Sequence, residues 1–278
     1  VSETTALPVH HIAPRRGIGD LGLGGLRHRG HLLWLLTARE LRLRYVQTVL
    51  GPVWVVVNPL VPAVLFTFVF TKVATIDTDG VPYIILVTAA LTPWNTVSRA
   101  LPRAGGALVA QRSLLTKVYF PRLLIPLAIV LTCIVDHVVS LCIVAAAMVQ
   151  SGTPATARLL VLPALMVWTL ALALATSLLV AAVSVRRRDV LTALPIAIQI
   201  WLYVSPVAYP LQSLTGPARA LVLLNPMTSL VEAHRWAVYG SSSLGATAMV
   251  GGMVEALVLL VVSLVGFRVA ERGMADVI

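Results

Sequence analysis

The residues that could do chemistry in this chain are few, and most of them are basic. A phosphate-binding loop needs a lysine after glycine and before serine or threonine, because its ammonium must reach phosphates cradled by loop amides. The chain has two lysines, Lys72 after Thr71 and Lys117 after Thr116, and neither fits such a loop. Gly17, Gly19 and Gly22 match G-x-G-x-x-G, but no strand precedes them and no helix of a βαβ unit follows. Asp77, Thr78 and Asp79 form a D-x-D, the pattern that holds a metal and a nucleotide sugar in some enzymes. With no soluble domain around it, it reads as a solvated turn. Serine, histidine and cysteine show no nucleophile, base and orienter spacing. The expectation is a chain with no catalytic residue, no metal site and no cofactor of its own.

Other polar residues stand out because of their apolar surroundings. Asp136 and His137 interrupt a long apolar run, where an ionisable group is expensive. They fit either a proton relay or a carboxylate buried in a helix bundle and bonded to a neighbour such as Arg99. Glu232 and Arg235, three apart on a short helix, can pair. Asp189 can cap the helix it opens. Cys133 and Cys142 lie nine residues apart in one run, on opposite helix faces, and read as packing residues.

The elements that must position these groups are apolar helices. The chain of 278 residues is 58% hydrophobic and 12% charged, which excludes a soluble globule, whose charged share is about 25%. Its net charge of +10 sits in short clusters between apolar runs, a pattern that fits membrane topology signals and anionic headgroups rather than nucleic acid. Apolar runs at about 52–72, 82–103, 123–149, 158–185, 190–209 and 249–268 predict an all-α polytopic membrane protein with six transmembrane helices. Between the last two, residues 210–248 are cut by Pro210, Pro217 and Pro226 into pieces too short to span, which predicts short re-entrant helices.

Residues 1–30 read as a flexible cytoplasmic tail and residues 31–50 as an amphipathic interface helix. On that helix Thr37, Glu40, Arg44, Gln47 and Thr48 share one arc, while Leu32, Leu36, Leu43, Val46 and Leu50 form an apolar side on which Arg39 and Arg42 intrude. Those two arginines either snorkel to lipid phosphates or contact a partner or substrate. Residues 51–278 form the transmembrane domain, with a cytoplasmic loop at 104–122 and an external re-entrant segment at 210–248. The positive-inside rule puts both termini in the cytoplasm, since sixteen of the 21 basic residues then fall on that side. Trp54, Tyr83, Trp94, Trp201, Tyr203 and Tyr209 lie near predicted span ends or the re-entrant region. They form an interfacial belt, or line a channel in which ring faces meet sugar C–H groups.

Across residues 31–270 a series of motifs follows in order: Ala38 to Gly51 (ARELRLRYVQTVLG), Asn58-Pro59, Val81-Pro82-Tyr83, Thr92-Pro93-Trp94, Leu115 to Arg122 (LTKVYFPR), Arg186 to Val190 (RRRDV), Ser205 to Pro210 (SPVAYP), Asn225-Pro226 and Glu232 to Trp236 (EAHRW). Together they resemble the membrane subunit of type-2 ABC polysaccharide exporters, the permeases of O-antigen and teichoic acid export. The resemblance implies a homodimer joined to two ABC ATPase subunits, which bind ATP and Mg, in the plasma membrane. It implies a lipid-linked polysaccharide as cargo, galactan being one option. It makes Arg39, Arg42, Arg44 and Tyr45 candidates for the lipid headgroup at a cytoplasmic gate, because guanidinium groups suit phosphate. It gives Gln111, Arg112, Leu115, Lys117 and Tyr119 to the ATPase-coupling loop. The rivals are a drug or lipid exporter permease of the same superfamily, a membrane-embedded glycosyltransferase, and an ion-coupled transporter, which would show two similar halves.

Overall fold

The computed structural model of the protein describes residues 30–46, 51, 53–72, 80–111 and 121–273. Nine helices organise them: α1 (Gly30–Tyr45), α2 (Val53–Lys72), α3 (Tyr83–Gly105), α4 (Leu124–Gln150), α5 (Leu162–Ser184), α6 (Asp189–Val204), α7 (Gly216–Leu223), α8 (Pro226–Tyr239) and α9 (Ala246–Gly273). A one-turn helix, Ala107–Ala110, follows α3, and short 3-10 turns at Ala157–Val161 and Leu211–Ser213 lead into α5 and α7.

The six expected spans are corrected to four. The helices long and apolar enough to cross a membrane, among the described residues, are Val53–Lys72, Leu124–Gln150, Ala157–Ser184 and Ala246–Glu271. The run at 82–103 does fold into the 23-residue α3. Its apolar character is broken by Thr88, Thr92, Asn95, Thr96, Arg99 and Arg103, whose spacing of three and four residues gathers them into one polar stripe. The run at 190–209 stops early. Ser205 is extended (φ −93°, ψ 139°), as the residue before a proline prefers, so α6 ends at Val204 after 16 residues. At 1.5 Å per residue that is about 24 Å, short of the roughly 30 Å of hydrocarbon.

Helix α3 is the hub. It packs on α2, α4, α5 and α8, while α9 lies along α5 and α8, and α1 lies along α4. Gly105 allows a close approach of α3 and α5, since a Cβ there would meet Val180 Cγ1 at 2.6 Å. The Ser184 hydroxyl donates to the freed Gly105 carbonyl at 3.0 Å.

Helix α8 is too short to span, yet 11 of its 14 residues are buried in the bundle. Its start is fixed by Asn225, whose side chain accepts from the Met227 amide at 3.1 Å, followed by Pro226 in the first turn. Its end is fixed by Gly240 at φ 86°, the left-handed conformation that stops a helix with least strain in glycine. By contrast α2 and α6 present wide apolar faces outward, including Leu65, Phe68, Ile196 and Ile200. Such faces are at home against lipid or another apolar helix surface.

Candidate functional site

Two polar stripes meet inside the bundle and generate the site. The stripe on α3 faces Thr132, Asp136, His137 and Ser140, which fall on one side of α4 by the same spacing. Arg103 Nη1 donates to the Thr132 hydroxyl at 3.3 Å, and Arg99 Nη1 donates to Asp136 Oδ1 at 3.1 Å. One turn further along, the Thr96 hydroxyl and His137 Nδ1 share a hydrogen bond of 3.0 Å. The His137 ring meets the His234 ring of α8 edge-on, 5.6 Å between centroids. A cleft of ≈ 10 Å³, lined by Pro59, Thr88, Leu91, Thr92, Asn95, Ser140 and Ile143, continues the seam and has room for about one water molecule.

Helix α1 closes this seam from the side. Thr37 is buried, Glu40 is half-buried, and Arg44 reaches into the bundle. Arg44 grips Asp136 with both arms of its guanidinium, Nη1 to Oδ2 at 2.5 Å and Nη2 to Oδ1 at 2.6 Å. Asp136 thus joins three helices, because Arg99 of α3 holds the same carboxylate. Glu40 accepts from Gln111 Nε2 at 2.9 Å, which ties α1 to the segment that leaves α3. The polar arc of α1 is therefore the face turned inward, while Trp34, Leu35 and Leu43 are exposed.

The remaining expected residues distribute as follows. Arg42 is exposed, and Arg39 is half-exposed with a 3.6 Å ion pair to Glu40. The side chain of Tyr45 lies outside the described residues, as do Arg112, Leu115, Lys117 and Tyr119, Gln47, Thr48, Leu50 and the D-x-D at 77–79. Asp189 begins α6 from its first turn, with no side-chain cap at Arg188 before it.

The six aromatic residues sit in different local settings. Trp94 and Trp201 form an edge-on pair, 5.6 Å apart. Tyr83 stacks on Phe70 and donates to the Ala208 carbonyl at 2.6 Å. Tyr209 donates to the Tyr203 carbonyl at 3.1 Å, and the Trp54 and Tyr203 side chains are exposed.

A second polar centre lies at the opposite end of α3. Arg235 donates to Glu232 Oε1 at 2.8 Å, to the Val207 carbonyl at 3.2 Å, to the Tyr209 carbonyl at 3.3 Å and to the Leu86 carbonyl at 3.5 Å. Glu232 Oε2 accepts from the Ser243 amide at 2.9 Å and the Ser242 hydroxyl at 3.2 Å. Beside it Asn225 accepts from Trp201 Nε1 at 3.0 Å and donates to the Ser205 hydroxyl at 2.8 Å.

Sequence reasoning missed Asn225 as a node, His234 as the neighbour of His137, and the bond from Glu40 to Gln111. The polar stripe on α3 was the available signal, since its period is visible in the sequence and points at whatever packs there.

Four helices long and apolar enough to span, with a polar seam buried between α3 and α4, make this a multi-pass membrane protein. The ABC-2 type transporter family matches residues 31–239, and the chain belongs to that family. It is 31% identical over 215 residues to an O-antigen export system permease protein, RfbA, of Myxococcus xanthus, a match covering 77% of this chain and 82% of that protein. An O-antigen export system permease protein of Klebsiella pneumoniae is 24% identical over 208 residues, covering 73% of this chain and 78% of the relative. The chain is accordingly a non-catalytic permease subunit of an ABC transporter.

Proposed function

We propose that the chain is the membrane-spanning subunit of an ATP-driven exporter that carries a lipid-linked polysaccharide, galactan being one candidate, out of the cytoplasm across the plasma membrane. The observation that carries this reading is the likeness to the O-antigen export permease of Myxococcus xanthus, which runs through most of both chains. Two copies work with two ATPase subunits that bind ATP and Mg, and both termini face the cytoplasm. The segment from Gln111 onward meets the ATPase, and the short helices between 210 and 248 form the external gate.

The chemistry of the site supports such a cargo. Arg39 and Arg42 on the open face of α1, with Arg44 and Arg99 behind them, offer guanidinium groups to a phosphate-linked lipid head at the edge of the bundle. Depleting the protein and extracting the cell's lipids tests the reading. Polyprenyl-linked glycan is expected to accumulate inside the cell; an unchanged lipid-linked pool would sink the proposal and favour a drug or lipid exporter.

A further inference from the structure

Asp136, Glu232 and Glu271 each have an arginine partner within the chain. Glu255 does not. It lies in α9, one of the four helices long and apolar enough to span, and it is exposed, with no hydrogen bond or ion pair among the described residues. It stands about 14 Å from the start of α9 at Ala246 and about 20 Å from Arg268, whose bond to Glu271 marks the charged end of the span. A side chain with two methylenes reaches neither end. An ionised carboxylate facing lipid chains at that depth is strongly unfavourable, and charged groups within spans pair with other protein groups.

The surface around Glu255 is built for another helix. One side of α9 is taken by the bundle, where Gly252, Ala256, Ser263 and Phe267 are buried and a Cβ on Gly252 would meet Ser229 Cβ of α8 at 2.2 Å. On a second side Gly251, Glu255, Val258, Val262, Gly266 and Val269 recur every three or four residues, so they share one arc, and all six are exposed. A Cβ on Gly251 or Gly266 would have nothing within 4 Å, so the backbone of α9 is bare on both sides of the carboxylate. Small residues that admit a neighbouring backbone, with a polar side chain between them, are the means by which helices associate in lipid.

The charge selects the occupant. Two copies of this chain paired through the stripe, about an axis along the membrane normal, would set Glu255 against Glu255 and add a like charge. The wide apolar faces of α2 and α6 carry no such penalty, and they belong to helices packed on α3, α4 and α5, whereas α9 packs on α5 and α8. We propose that the stripe from Gly251 to Val269 docks a transmembrane helix of a different membrane protein, and that this helix offers an arginine or lysine to Glu255 within the membrane. The partner is additional to the ATPase, and the inference stands apart from the nature of the cargo.

Two measurements test it. Dicyclohexylcarbodiimide modifies carboxylic acids that face lipid, and its attachment to Glu255 is read by mass spectrometry in native membranes and in nanodiscs holding the permease and ATPase subunits alone. Modification is expected to be about tenfold slower in native membranes, where the partner covers the carboxylate, the size of effect expected from one interhelical polar contact. Equal rates overturn the proposal, and no substitution is needed to see it. Photo-crosslinking from p-benzoylphenylalanine in place of Val258, in native cells, then identifies what lies on the stripe. The expected product joins the chain to a helix of another membrane protein that carries an arginine or lysine. Glu255→Gln should lower its yield about tenfold and Glu255→Lys should abolish it, while exchanging the partner's cation for glutamate in the Glu255→Lys background should restore it. A crosslink between two copies of this chain, adducts to lipid alone, or a yield indifferent to Glu255→Gln overturns the proposal.

Discussion

The two buried ionic centres use the same chemistry in opposite ways. Glu232 and Arg235 sit three residues apart on one helix, are 2% and 1% exposed, and balance each other's charge. Their remaining hydrogen-bonding capacity is spent on the backbone of the 205–210 segment, of α3 and of the loop after α8. Asp136 draws its partners from two other helices, and the arginines that hold it keep some access to the exterior. An enclosed pair whose lone pairs and protons are bonded within one helix and its neighbours fixes a local fold. A carboxylate shared by arginines of two other helices instead ties three separate elements together at one point.

The largest effect expected from this contrast is at Arg235. Arg235→Ala leaves Glu232 buried without a counter-charge and strips donors from three backbone carbonyls, a loss of about 3–5 kcal/mol. Thermal unfolding in detergent should show a sharply lower Tm and little assembled protein. Replacing both partners by apolar residues, Glu232→Leu with Arg235→Met, should recover part of the loss. Native-like melting of Arg235→Ala would remove the distinction between the centres.

Asp136→Ala should cost less stability, about 1–3 kcal/mol, because the arginines it abandons are partly open to solvent. Its transport rate should fall by much more than its Tm suggests. If the two substitutions destabilise equally, both centres are equally fixed parts of the scaffold.

Helix positions were largely legible in the sequence, because apolar runs bounded by prolines, glycines and charges leave little choice of element. Which helices span was less legible. Length and mean apolarity of the 82–103 run suggested a span, whereas its stripe from Thr88 to Arg103 is satisfied by other protein groups, and α3 became the hub. The pairing of Glu232 with Arg235 is local and could be anticipated from spacing. The grip of Arg44 on Asp136, 92 residues away in sequence, depends on how α1 docks, and helical periodicity marks the polar arc of α1 without saying whether that arc meets water, headgroups or protein. The inward turn of α1's polar arc was for that reason invisible until the bundle was assembled.

The smallest expected effect is at the bond between Gln111 and Glu40, and it separates a mechanical link from a structural one. The two side chains meet at 2.9 Å at the partly exposed edge of the bundle, where a bond to a carboxylate contributes about 1.5 kcal/mol. Gln111→Ala should therefore lower Tm only slightly. Gln111 nevertheless begins the segment proposed to meet the ATPase, and Glu40 stands one turn before Arg44 on α1. If movement of that segment reaches α1 through this bond, Gln111→Ala lowers the glycan exported per ATP hydrolysed while ATP turnover continues. Glu40→Ala should do the same, and the double variant no more than either, because a single interaction can be lost only once. Additive losses in the double variant would show that the two residues act separately, and the link between the ATPase side and the Asp136 cluster would have to run through α3 instead.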